Sequence, residues 1–185
     1  MPDLLRHIPV LEGIASCRHG TRDGAPGVTL RALPEGLLLL VLGRIGQKQL
    51  AAETARAGFD QALISEAGFE QWLIAGDFSV APAQIAALAG ALSGSAHVSD
   101  QSHGRIRIAL SGSRSLAVLA NGCGIDFAVF PPGAGAMTLY GHVGCHLHRV
   151  DADTFHITVL RSFTLALWDE LVEAGLEYGV EAIAS

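Results

Sequence analysis

Apolar residues recur along the chain at two different spacings. In "VTLRAL" (28–33) and "RIRIAL" (105–110) they alternate with polar or small residues, the period of a strand with one buried face. "LLLLVL" (37–42) is apolar at every position, so it reads as a central strand in a sheet covered on both faces, joined to 28–33 through the Pro34-Glu35-Gly36 turn. "FEQWLIA" (69–75) and "FHITVL" (155–160) are further strands, and 137–147 reads as one long strand. Helical spacing predicts four helices. One covers 47–57 and stops at Gly58. Pro82 opens an Ala-rich helix to about Leu92, with Ile85, Leu88 and Leu92 on one face. Ser113 caps a short helix through Leu116 and Leu119 that ends at Asn121-Gly122, and Ser162 caps the last one, through about Glu173.

Residues 69–92 and 155–175 share one design, a Phe-led strand feeding an apolar-faced helix. Each half is written β-α-β-β-α-β, with the third position of the first half, around 62–65, short. A split unit of this kind packs its helices on one face of an antiparallel sheet. The expected fold is therefore α+β, made of two ferredoxin-like halves. Residues 1–27 are expected to be an irregular arm, because "GIASCRHGTRDGAPG" (13–27) has no apolar period. Residues 28–185 form one domain of two pseudo-repeats, about 28–100 and 101–185.

Composition narrows the function classes. Half of the 185 residues are apolar and 16% are charged, more apolar surface than one domain of this size hides, which implies a partner. Twelve Lys and Arg against 18 Asp and Glu give a net charge of -6, the wrong sign for holding a phosphate backbone, so nucleic acid is excluded. Three cysteines without a C-x-x-C argue against a disulfide framework or zinc knuckle and fit a reducing cytoplasm. The longest aliphatic run, 37–42, is far short of the ~20 residues of a membrane helix, and Arg6, His7 and Pro9 interrupt any signal peptide. A soluble, cytoplasmic protein is expected.

Candidate chemistry is sparse. "HVGCHLHRV" (142–150) holds three histidines and a cysteine. On a strand, Cys145 points away from His142, His146 and His148; His142 stands about 13 Å from His146, while His146 and His148 are about 7 Å apart and share a face. Two ligands fall short of the three or four that zinc needs, so His146 and His148 are metal candidates only if His97, His103 or His156 joins them; otherwise they are half-exposed or meet another subunit. "NGCGID" (121–126) follows a helix and lacks the third glycine of a dinucleotide loop. "SDQSHGR" (99–105) groups Asp100, Ser102, His103 and Arg105 as a polar site or, locally, as a turn whose side chains bond to backbone. On the last helix Phe163, Leu167, Leu171 and Ala174 cover one sector, and Leu165, Trp168 and Val172 widen the apolar arc to roughly 200°, more than one sheet face covers. Arg161, Leu165, Trp168 and Val172 are therefore candidates for contact with another chain.

In order, "VSDQSHGRIRIALSG", "VLANGCGIDF", "HLHRVDADTFHITVLRSFTLALWDEL" and the terminal "EYG" resemble the gamma subunit of heterotetrameric sarcosine oxidase. The resemblance is most specific over 98–179, and "EQWLIA" extends it toward the front of the chain. It implies a fold like the folate-binding domain of aminomethyltransferases, and a complex that oxidatively demethylates sarcosine to glycine with one-carbon transfer to tetrahydrofolate. It implies alpha, beta and delta subunits as partners, with FAD, FMN, NAD and tetrahydrofolate on the alpha and beta chains and zinc on delta. For the gamma chain it implies no cofactor and no catalytic residue. Asp100 and Asp126 are the carboxylates to test against folate. A free-standing folate-binding aminomethyltransferase-like protein and an independent metal-binding module are the alternatives, and homodimerisation of the isolated chain is left open.

Overall fold

The computed structural model describes residues 8–20, 24–44, 46, 53 and 58–184. Apart from Glu53, the helix expected over 47–57 lies outside them. The described strands form two sheets. The smaller contains β3 (Leu37–Gly43), β4 (Leu63–Gly68), β5 (Gln71–Gly76) and β6 (Ala96–Asp100) in the order β4-β5-β3-β6, with every pair antiparallel. α1 (Pro82–Ala91) links β5 to β6. Counted along the chain this is the order 2-3-1-4, that of a ferredoxin-like half.

The second half repeats it with additions. β7 (Arg105–Ser111), α2 (Ser115–Gly122), β9 (Val143–Asp151), β10 (Thr154–Leu160), α3 (Thr164–Gly175) and β11 (Val180–Ile183) make the β-α-β-β-α-β unit. β8 (Gly135–Tyr140) is added outside β9, and β1 (Cys17–His19) outside β11. β2 (Val28–Ala32) stands between β11 and β7, parallel to the first and antiparallel to the second. Val28–Ala32 thus belongs to the seven-stranded sheet of the second half, and Cys17–His19, expected within an irregular arm, is ordered by pairing with Val180–Ala182.

Four layers result. α2 and α3 cover one face of the large sheet, where Leu30, Ile108, Leu147, Phe155, Ile157, Leu167 and Leu171 are buried together. α1 and Phe59 cover the outer face of the small sheet through Leu37, Leu39, Val41, Trp72, Ile74, Leu88 and Leu92. The inner face of the small sheet, with Leu38, Leu40, Leu73 and Ala75, meets the remaining face of the large one. That explains why 37–42 is apolar throughout: alternate leucines serve two different cores.

The stretch 137–147 is a hairpin. Gly141, at φ 55°, opens the two-residue turn Gly141-His142 between the paired Tyr140 and Val143. The turn resets the alternation, so Tyr140 joins Val143, Cys145 and Leu147 in the helix-side core, while Met137 and Leu139 face outward. Two helix starts also differ from expectation. α2 begins after Arg114 without a side-chain cap, and a 3-10 turn, Arg161–Phe163, precedes α3. The sheets approach closely at Gly135, where a Cβ would stand 2.6 Å from the Glu66 carbonyl oxygen and 2.7 Å from Ser65 Cβ. Neither neighbour is the free end of a flexible side chain. Gly135→Ala is expected to destabilise the fold by about 1–3 kcal/mol through overpacking, read as a lower urea midpoint.

Candidate functional site

The face of the large sheet that meets the small sheet is polar. β9 supplies His146 and His148, β10 His156 and Thr158, and β7 Arg107. His156 lies directly across from His148, and Thr158 from His146. His146 and His148, expected to be half-exposed or in contact with another subunit, are 2% and 7% exposed, because the small sheet of the same chain covers them. His146 Nε2 donates to the Glu66 carbonyl at 2.8 Å, with Ser65 Oγ at 3.4 Å. Arg107, 5% exposed, donates to the carbonyls of Pro34 and Gly76 and pairs with Asp77. Among the described residues, His148 Nδ1 meets no hydrogen-bond partner. Burial pushes His146 down to about 4, with the Glu66 carbonyl opposing. It pushes His156 down to about 4 as well, helped by the Arg107 charge, and it lowers His148. These are neutral imidazoles acting as polar mortar between two sheets. Among the described residues no group of three or more His, Cys, Asp or Glu is placed to hold a metal ion, and His146 and His148 do not gather a third ligand.

A second polar cluster lies at the surface. A cleft of about 330 Å³ is lined by Glu35, Ser79, Asp100, Ser102 and His103 on its polar side and by Leu37, Val80, Pro82 and Ile85 on its apolar side. The turn after β6 and the start of α1 build it. Asp100, Ser102 and His103 stand together here, but not as a nucleophile, base and orienter. The Asp100 carboxylate accepts the Ser102 backbone N–H at 2.9 Å, and the Ser102 side chain also holds it below the usual carboxylate range. Ser102 Oγ accepts the Leu38 N–H at 3.1 Å and lies 3.4 Å from the Leu38 carbonyl. Its hydroxyl is used to staple the turn to β3. A catalytic serine instead needs its hydroxyl on a base that a third group orients.

Asp126 lies elsewhere, in the loop after α2, where its carboxylate accepts the Ala128 N–H at 3.0 Å. It is not part of the cleft, so the two aspartates do not converge on one pterin-sized site. Burial lifts the Cys123 and Cys145 thiols to about 11 and about 12, which leaves almost no thiolate at neutral pH.

The last helix revises the expected contact surface. Trp168 is 2% exposed, packed with Leu167 and Leu171 in the helix-side core, and so is not a surface contact. α2 stands beside α3 and walls the flank that the sheet leaves open. Phe163, expected to face the sheet, is 48% exposed because the 3-10 turn rotates it out, and Leu165 is 47% exposed. Val172 is half-buried against the core. Arg161 is held inside the chain, on Glu35 at 3.1 Å and on the Ile8 carbonyl at 2.6 Å.

No family model and no curated protein matches the sequence. Solved structures do. A chain of the heterotetrameric sarcosine oxidase from Corynebacterium sp. U-96, in complex with pyrrole 2-carboxylate, matches with TM-score 0.73 and 22% identity over 84% of this chain and 87% of its own. The two chains share one fold. Glycine cleavage system aminomethyltransferase T from Bartonella henselae matches with TM-score 0.59 and 21% identity over 85% of this chain, which spans 48% of that protein. The aminomethyltransferase-like fold expected from the sequence is therefore the fold observed, with its mostly antiparallel sheets and helices packed on them. Within the aminomethyltransferase-like fold, the cleft at Asp100 and the histidine layer are places where polar side chains of the described residues gather. No helix among the described residues is long and apolar enough to cross a membrane.

Proposed function

We propose that this chain is a non-catalytic, gamma-type subunit that supports assembly of a heterotetrameric sarcosine oxidase. That complex would oxidatively demethylate sarcosine to glycine and pass the one-carbon unit to tetrahydrofolate in the cytoplasm. The observation that carries the proposal is the length of the match. The likeness runs over 87% of a sarcosine oxidase chain but only 48% of the aminomethyltransferase. The resemblance over 98–179 supports the same choice. Partner chains of alpha, beta and delta type would hold FAD, FMN, NAD, tetrahydrofolate and zinc. This chain would contribute surface, in keeping with a serine and two aspartates committed to bonds with its own backbone.

The test is co-expression with the chains encoded beside it. We expect a stoichiometric complex with sarcosine-dependent peroxide formation, and neither flavin absorbance nor sarcosine turnover from the chain alone. Turnover by the isolated chain would overturn the proposal. Saturable tetrahydrofolate binding by the chain alone, lost in Asp100→Asn or Asp126→Asn, would favour a free-standing aminomethyltransferase-like protein instead.

A further inference from the structure

The two sheets have four edges among the described residues, and three of them are blunted. β1 is three residues long and carries Arg18 and His19. β4 carries Glu66 and an irregular register between Glu66 and Gly68. β6 carries His97 and Asp100. Short length, charge and bulges are the devices that keep a sheet edge from pairing with another chain. β8, "GAMTLY", has none of them: it has six residues, no charge, no proline and a regular register with β9. Met137 and Leu139 on it are 48% and 57% exposed.

Among the described residues, backbone pairing closes this edge at its Tyr140 end, where the Gly141 N–H donates to the Gly122 carbonyl at 3.0 Å and Cys123 bridges Tyr140. In a two-residue hairpin the residues flanking the turn bond to each other, and the bonding alternates from there. Tyr140 and Val143 are that pair. The backbone groups of Thr138 and Ala136 therefore point to β9, and those of Met137 and Leu139 point away from the sheet.

We propose that β8 is the docking edge of this chain, completed by an extended segment of a larger partner chain, apolar at alternate positions and flanked by Lys or Arg. The proposal rests on the subunit reading above and names where the contact is made. A second copy fits less well. Five open residues span about 17 Å, and with a sheet edge about 10 Å deep the footprint is about 170 Å² per side, well under the ~1,000 Å² total of a stable interface. The contact must extend onto surface beyond the strand, and two copies would each bring a charge of -6 to it. The Glu170 carboxylate stands beside Gly141 at one end of β8, so a copy would bring further acid to an acidic end, whereas a basic flank would match it.

Amide hydrogen exchange at Met137 and Leu139, measured in the isolated protein and in the complex with the chains encoded beside it, reads the contact directly. We expect exchange at both amides to slow at least about 10-fold on assembly. We also expect Leu139→Lys to weaken assembly at least about 10-fold with an unchanged melt, because the side chain is exposed. A wild-type complex with unprotected amides, and with Leu139→Lys assembling normally, would overturn the docking edge and leave the subunit reading intact. Failure of the wild-type chain to assemble would overturn both. A dimer of the isolated chain in sedimentation, with these amides already protected, would make a second copy the occupant and overturn the choice of partner.

Discussion

Trp168→Ala lowers the unfolding free energy of the isolated chain by about 3–5 kcal/mol, the range for removing a buried aromatic and leaving a cavity. The indole is 2% exposed within the core on the helix side of the large sheet, with Leu167 and Leu171 at 0% on either side of it along the helix. For a chain of this length each kcal/mol moves the midpoint by about 2–4 °C, so the melt falls by roughly 6–20 °C. Leu165→Ala on the same helix is the internal control. Its side chain is 47% exposed, and its removal changes the melt by less than about 1 kcal/mol. Equal losses from the two substitutions would contradict the packing described for α3.

Acid is expected to loosen the contact between the sheets before it unfolds the rest. His146 and His156 ordinarily titrate near 6.5, but burial holds both at about 4 in the folded protein. Between those values the unfolded chain binds protons that the folded chain refuses. Stability from these groups is therefore complete above about pH 7 and is lost progressively as pH falls toward 4. The loss is about 3 kcal/mol for His146 and, with His156 partly solvated, about 1–2 kcal/mol more. His148 shifts in the same direction. Urea midpoints between pH 7.5 and 4.5 check the slope. His146→Gln keeps an N–H for the Glu66 carbonyl and cannot charge, so its midpoint should vary less across the same window. An unchanged slope in that variant would place the acid sensitivity elsewhere.

Much of the scaffold is legible in the sequence because local signals agree with the packing there. Pro82 opens a helix, the run 37–42 has two apolar faces because two cores claim it, and the repeated strand-helix unit is a repeated structural unit. What escapes is whatever depends on partners far away in sequence. The Met137 and Leu147 ends of the expected long strand lie on either side of a turn whose main signal is one glycine, Gly141. β6 and β11 are short and amphipathic, and neighbouring strands order them. Among the candidate site residues, His146 and His148 do share one face, as strand alternation dictates. Their burial is not a local property, because it requires the second sheet to be laid over them. Arg107 is missed for the same reason: at an alternating position of a strand it reads as solvated, yet Pro34, Gly76 and Asp77 enclose it.

The position of β2 has a consequence for how the chain comes into being. The small sheet needs only residues 37–100, but β2 has one neighbour at Arg105–Ser111 and the other at Val180–Ile183. At about 5–20 residues per second, Val28–Ala32 leaves the ribosome roughly 7–30 s before the strand that completes its pairing. Throughout that interval at least one edge of β2 is open, and β1 lacks β11, its one pairing partner among the described residues. The strand at Val180–Ile183 is thus the one that seals both Cys17–His19 and Val28–Ala32. A nascent protein that stalls before Val180 would carry a finished small sheet beside an unsealed large one, the kind of half-built surface that chaperones hold.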